Sequence, residues 1–229
     1  MKIKYTHGIY YKELDEKQKK LCKFGANMYI WQLSVNDIVY YGRTYEELDE
    51  FLYELDDPDV RKIIFVHNLS WEFSFLKGYF NFENVQARKS RHVMRCKFFN
   101  YNLELQCTYY MSNCALKTLP QVFNLDVEKM VGDLDYSLLR NSKTPLTVKE
   151  LKYCENDCLV VYKYILRELE TYLRVDKIPI TSTGKVRREL KEKIKNNWAY
   201  KSKVRKIYND DPLFYNLEIE SFARWLHSR

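Results

Sequence analysis

The amino-acid sequence predicts a mixed α/β fold, and three features carry that prediction. Aromatic and β-branched runs pair into a hairpin near the start, and the short apolar run KIIFV (62–66) leads straight into helical spacing. Thr44 stands three residues ahead of Glu47, the pattern that opens a helix, and Thr147 caps a second, longer one. Strands and capped helices follow one another in the order β-β-β-α-β-α-ββ-α-α, which belongs to a mixed α/β domain.

Taken in order, residues 3–11 predict a first strand broken at Gly8, and the charged run from Lys12 to Lys23 a helix or a solvated loop. NMYIWQLS (27–34) and IVYYG (38–42) flank the turn-prone Val35-Asn36-Asp37 and predict a hairpin. Thr44 with Glu47 caps a helix carrying Leu48, Phe51, Leu52 and Leu55, which stops near Asp57-Pro58. KIIFV reads as a strand buried on both faces. It passes through His67-Asn68-Leu69-Ser70 into a helix bearing Phe73, Leu76 and Phe80. Residues 86–110 alternate as strands around a turn at Asn100-Tyr101-Asn102, and 116–123 form a short helix. Thr147 caps a long helix to about Arg174; beyond it TSTG (181–184) caps KVRRELKEKIK. The expected division is one domain over 1–178 and a basic helical extension over 179–229.

Composition narrows the classes further. With 229 residues, 46% apolar and 16% aromatic, the chain has enough material for a core. Only 6 Gly and 5 Pro exclude low-complexity and collagen-like character. The net charge of +7 with 20 Tyr suits a polyanion partner, because cations neutralise phosphates and rings stack on bases. The 6 cysteines show no CxxC spacing and the 4 histidines are scattered, which speaks against a zinc centre and for reduced, core-filling thiols. No leader-like apolar run follows the N-terminal charges and no stretch is long enough to span a bilayer, so a soluble cytoplasmic protein is expected.

Three segments, in order, carry a resemblance. They are Val66-His67-Asn68-Leu69-Ser70-Trp71-Glu72-Phe73-Ser74-Phe75-Leu76, the stretch from Leu116-Lys117-Thr118-Leu119 through Val131-Gly132-Asp133-Leu134-Asp135-Tyr136, and Tyr153-Cys154-Glu155-Asn156-Asp157. Over residues 27 to 190 the chain resembles the 3′–5′ exonuclease domain of protein-primed family B DNA polymerases of phages and linear plasmids, without the polymerase. The resemblance implies a ribonuclease H-like fold, a mixed central sheet flanked by helices. It implies a site in which Asp157 and Glu72 are metal-binding carboxylates and Tyr153 positions the attacking water. It also implies that His67, Asn68, Trp71, Phe75 and Leu116 hold an unpaired 3′ end. The implied cofactor is Mg²⁺ or Mn²⁺, two ions where the site is active. The implied partners are single-stranded DNA and a replication or phage-encoded protein.

That chemistry fits the residue types. Phosphodiester hydrolysis by two ions needs several carboxylates converging, with the ions about 4 Å apart. Tyr153 and Asp157, spaced i and i+4, share one helix face. Phe75 reads equally as a buried helix residue, Trp71 as core or as a stacking ring, and Lys185, Arg187 and Arg188 as phosphate contacts or a solvated face.

The sequence departs from the family in three places. An Asp-x-Glu pair is due on the first strand, where the best register puts Lys12 and Leu14. Sliding by one offers Glu13 and Asp15 on one strand face as replacement ligands, in inverted order. Val131 stands where many relatives carry lysine. The chain stops where the family's polymerase begins, which predicts a short stand-alone protein. Two readings stay open: a two-ion exonuclease, or an exonuclease-fold module that grips nucleic acid or a protein without cutting.

Overall fold

The structure, a computed structural model, describes residues 14–21, 28–127 and 140–196. The predicted strand at 3–11, Lys12, Glu13, Cys22 and the 131–136 stretch lie outside the described residues. The chain divides into two compact units, Met1–Ser182 and Thr183–Arg229.

The first unit opens on α1 (Glu16–Leu21). Asp15 precedes it as a cap: its Oδ1 accepts from the Gln18 N–H at 2.7 Å, and Gln18 Oε1 accepts from the Asp15 N–H at 3.0 Å. The register that would put Glu13 and Asp15 on one strand face therefore meets a bend at Leu14 and a helix from Glu16.

The predicted hairpin is present as β1 (Trp31–Val35) and β2 (Ile38–Gly42), antiparallel with Trp31 opposite Gly42. Asn36 and Asp37 both take left-handed backbone, φ 50° and 70°. Consecutive left-handed residues make the tight turn whose twist matches paired strands, and Asn and Asp tolerate it. At Gly42 an added Cβ would lie 2.5 Å from Trp31 Cε2, so only glycine leaves room for the indole. Thr44 and Glu47 close both halves of their capping box and start α2 (Tyr45–Leu55), which buries Leu48 and Leu52.

Strand β3 (Lys62–Val66) belongs to a second sheet with β4 (Phe82–Ala87), β5 (Val93–Phe98) and β6 (Leu103–Cys107). The order is β3-β6-β5-β4; β3 runs parallel to β6 and the other pairs are antiparallel. The apolar run predicts β3 buried on both faces, but it is half-buried along its length and, among the described residues, has a neighbour on one side only. The strand buried throughout is β6, LELQC, despite its Glu104 and Gln106. Arg95 resolves that apparent conflict. It forks onto Glu104, Nη2 donating to Oε2 at 2.6 Å and Nε donating to Oε1. A paired charge can enter the core where an isolated one cannot.

After β3 comes α3 (Leu69–Leu76), packed on β5 and β6. It ends ahead of Gly78, so Phe80 lies beyond the predicted helix and reaches the core from the following turn. The chain after β6 turns through α4 (Thr108–Ser112), a single 3-10 turn (Leu116–Thr118) and α5 (Leu119–Phe123). Thr147 and Glu150 then cap α6 (Val148–Tyr172), which lies against β1, β2 and β3. One core cluster, including Leu52, Leu69 and Leu103, fills the space between α2, α3 and the sheet. A second, with Met111, Leu119, Val160 and Tyr164, lies under α6. Each such buried leucine contributes roughly 1.5–3 kcal/mol. The result is the expected mixed α/β architecture, a mixed sheet flanked by helices, consistent with a ribonuclease H-like fold.

In the second unit α7, Ser182–Asn196, starts within the predicted TSTG cap and exposes Arg187 and Arg188. Among the described residues no helix is long and apolar enough to cross a membrane.

Candidate nucleic-acid interface

Parallel strands end at the same edge of a sheet, and in α/β folds ligands gather outside those carboxyl ends. β3 delivers His67 and Asn68 there, and β6 delivers Thr108 and Tyr109. His67 Nδ1 stands 3.0 Å from Thr108 Oγ1, and Thr108 is fully buried, so the imidazole is held from below. Tyr109 meets the His67 ring edge-on at 5.9 Å and is 40% exposed.

Asn68 is left-handed (φ 60°, ψ 49°), a conformation asparagine adopts more readily than most residues. Its carbonyl accepts from the Trp71 N–H at 2.9 Å, while its side chain makes no capping bond and is exposed. This sharp entry lifts the first turn of α3 outward. Trp71 is 59% exposed and meets the half-buried Phe75 edge-on at 5.5 Å. The reading of Trp71 as a core residue does not describe it.

Glu72 follows on the same turn. It is reached by solvent, yet desolvation pushes its carboxyl above the ordinary carboxylate range. Asp157 is half-buried on α6, on one face with the half-buried Tyr153. The charges of Asp157, Cys154, Glu72 and Glu155 all bear on the Cys158 thiol. Burial first, then those charges, pushes Cys158 up to about 12; burial and then Asp157 push Cys154 up to about 11. Both thiols stay protonated at neutral pH and serve as packing groups, not nucleophiles. Cys158 Sγ points to Gln32 Oε1 of β1 at 3.9 Å.

The start of α6 is fixed by charge. Arg140, 6% exposed in its side chain, donates from Nη2 to Glu150 Oε1 at 2.5 Å and lies over the Tyr29 ring at 5.5 Å. Arg43 donates from Nε to Tyr29 O at 2.6 Å and from Nη2 to Thr144 O at 2.7 Å. The segment before β1, the start of α2 and the loop before α6 are thereby tied together, and the helix carrying Tyr153 and Asp157 is held with them.

Other predicted residues have other settings. Leu116 is half-buried in the 3-10 turn and packs on the second core cluster. Asp15 is exposed and caps α1. Among the described residues no three His, Cys, Asp or Glu side chains converge as a metal site would require. Glu72 and Asp157 alone do not make up a two-ion carboxylate set.

The arrangement has a counterpart among solved structures. The chain is similar to Phi29 DNA polymerase complexed with single-stranded DNA, at 15% identity and TM-score 0.55, over 69% of this chain and 30% of that one. Phi29 DNA polymerase complexed with primer-template DNA aligns at 13% identity and TM-score 0.57, over 73% and 32%. The match thus spans about a third of the polymerase's length, and at this identity the likeness is one of fold. No protein-family model matches the chain, and no curated protein does.

Two parts of the site are not legible in the sequence. Tyr109 belongs to α4, a helical turn where the alternation through residue 110 predicts strand; the only local signal is the Tyr109-Tyr110 pair at the end of that run. The Arg43 and Arg140 ties connect residues about a hundred positions apart, and no sequence spacing reports such a link.

Proposed function

We propose that this chain is an exonuclease-type domain that grips the unpaired 3′ end of single-stranded DNA, related to the proofreading part of protein-primed DNA polymerases. The observation that carries the reading is the exposed Trp71, set beside Phe75 on the turn that leaves β3, with His67 at the end of β3 and Tyr109 at the adjoining end of β6. An exposed tryptophan beside a second ring offers a face for an unpaired base, and such stacking contributes roughly 1–3 kcal/mol. The fold shared with a polymerase solved with single-stranded DNA supports the same partner. A replication or phage-encoded protein is the protein partner that accompanies this reading.

A second reading, Mg²⁺- or Mn²⁺-dependent 3′–5′ cleavage, is favoured by one observation: Tyr153 and Asp157 lie half-buried on one face of α6. On this reading Asp157 and Glu72 hold the ion, which would polarise the phosphate, and Tyr153 orients water from the same face of α6. The set needs at least one further carboxylate, and Glu13 lies outside the described residues.

The test is a 3′-labelled single strand with the wild type, Trp71→Ala and Asp157→Ala, first without and then with Mg²⁺ or Mn²⁺. Binding weakened roughly 10- to 100-fold by Trp71→Ala, with no shortening of the strand, is the expected result. Metal-dependent shortening that disappears in Asp157→Ala establishes the second reading instead. A wild type with no affinity for the strand overturns both.

A further inference from the structure

The tip of the β4–β5 hairpin, ARKSRH (87–92), holds Arg88, Lys89 and Arg91 on one turn, and the sequence has no acidic residue between Glu83 and Glu104. All three cations are exposed, and none pairs with a carboxylate among the described residues. The turn is a built one. The Arg88 N–H donates to His92 O at 3.1 Å, the His92 N–H donates to Lys89 O at 3.0 Å, and Arg91 takes left-handed backbone at φ 60°. A fixed turn presents its side chains outward in a set pattern, where a disordered basic run would not.

What gives the tip a role is where it sits. Ser70, the residue before Trp71, donates from Oγ to the carbonyl of Val93, directly after the tip, at 3.4 Å. Val93 and Ser70 therefore tie the base of the cationic tip to the turn that carries the exposed ring of Trp71, and on the neighbouring strand's exit Tyr110 meets Tyr109 edge-on at 5.6 Å.

Building on the proposed single-strand function, we infer that the β4–β5 tip is a phosphate-binding site for that strand. Arg88, Lys89 and Arg91 take its backbone while Trp71 takes a base. Rings without cations would hold a base but not follow a chain; unpaired cations beside them supply the polyanion half of the contact. Each phosphate neutralised releases condensed counterions, so the tip's contribution is read in the salt dependence of binding.

The experiment compares the wild type, Arg88→Gln/Lys89→Gln/Arg91→Gln and Trp71→Ala for affinity to a single-stranded oligonucleotide from 50 to 200 mM salt. Loss of three phosphate contacts should flatten the log–log slope by about 2, at about 0.7 per contact, so the wild type loses about 20-fold more affinity over that range than the triple variant. Trp71→Ala should lower affinity at every salt concentration and keep the wild-type slope. Arg88→Gln alone, flattening the slope by about 0.7, repeats the test with the least disturbance of the turn. A wild type that binds, a weakened Trp71→Ala and a triple variant with wild-type slope and affinity overturn the tip assignment and leave the proposed function standing. A wild type that does not bind at any salt removes both.

Discussion

At the start of α6 and at the rim beyond β3 the chain uses the same residue types, arginine and aromatic rings, to opposite ends. Around α6 the guanidiniums of Arg43 and Arg140 are saturated: carbonyls of Tyr29, Asn141 and Thr144, the Glu150 carboxylate and the Tyr29 ring take their donors and charge. At the rim, Arg88, Lys89 and Arg91 face water, and Trp71 is more than half exposed. Groups whose partners lie within the chain fix the scaffold. Groups left without them at the edge of a rigid scaffold are available to a ligand; the first set serves stability, and on the proposed function the second serves recognition.

The sharpest way to break that contrast is Arg140→Ala. Removing one partner of a largely buried pair leaves the Glu150 carboxylate with the Thr147 donors alone, at a cost of about 3 kcal/mol in denaturant unfolding. A loss below about 1 kcal/mol would mean the tie is ornamental. Glu150 also gives this junction a pH signature. The Thr147 N–H first, and then the Thr147 hydroxyl and Arg140, hold its carboxyl below the ordinary range against the opposing effect of burial. Its stabilisation is thus present above the ordinary carboxylate range and lost as pH falls through the lowered value.

Gly42→Ala comes next: the new methyl meets the buried Trp31 indole, an overpacking worth roughly 1–3 kcal/mol. Trp31 fluorescence and the unfolding midpoint check it together. A smaller effect of opposite sign is expected at the rim. Glu72 has its carboxyl raised by desolvation, so it destabilises the fold once pH rises through that raised value. Glu72→Gln should raise the melting temperature at neutral pH, and the gain should vanish as pH falls below the ordinary carboxylate range; a loss at neutral pH would make Glu72 a scaffold residue. Smallest of all, Trp71→Ala should leave unfolding within about 0.5 kcal/mol of the wild type while weakening the single strand. A large loss of stability would move Trp71 to the core side of the comparison.

Local rules make much of this fold legible. The Thr44–Glu47 capping box and the Thr147 cap start their helices as read, because the signal and the structure occupy the same few residues; Glu150 completes the second box. The Asn36-Asp37 turn is equally local. The burial of β3 and β6 is illegible for the opposite reason. It follows from sheet position, so apolar KIIFV is half-buried, while LELQC is buried because Arg95 on the neighbouring strand neutralises Glu104. In the site, His67 and Trp71 are legible through the motif around them. Tyr109 and the basic tip are not, since their roles arise only where β6 and the β4–β5 turn meet α3.

The parallel pairing of β3 with β6 also has a consequence in time. Its partners, beginning with Lys62 opposite Leu103, are separated by all of α3, β4 and β5. The antiparallel neighbours β4–β5 and β5–β6 close over short turns, whereas β3 must complete a long loop before its hydrogen bonds return anything. The meander therefore assembles ahead of β3, and the edge that holds His67, Asn68 and Tyr109 comes into being with the last strand to dock. Destabilising substitutions in β3 should accordingly speed unfolding more than they slow folding, so the lifetime of the native state is set where the edge carrying His67, Asn68 and Tyr109 is made.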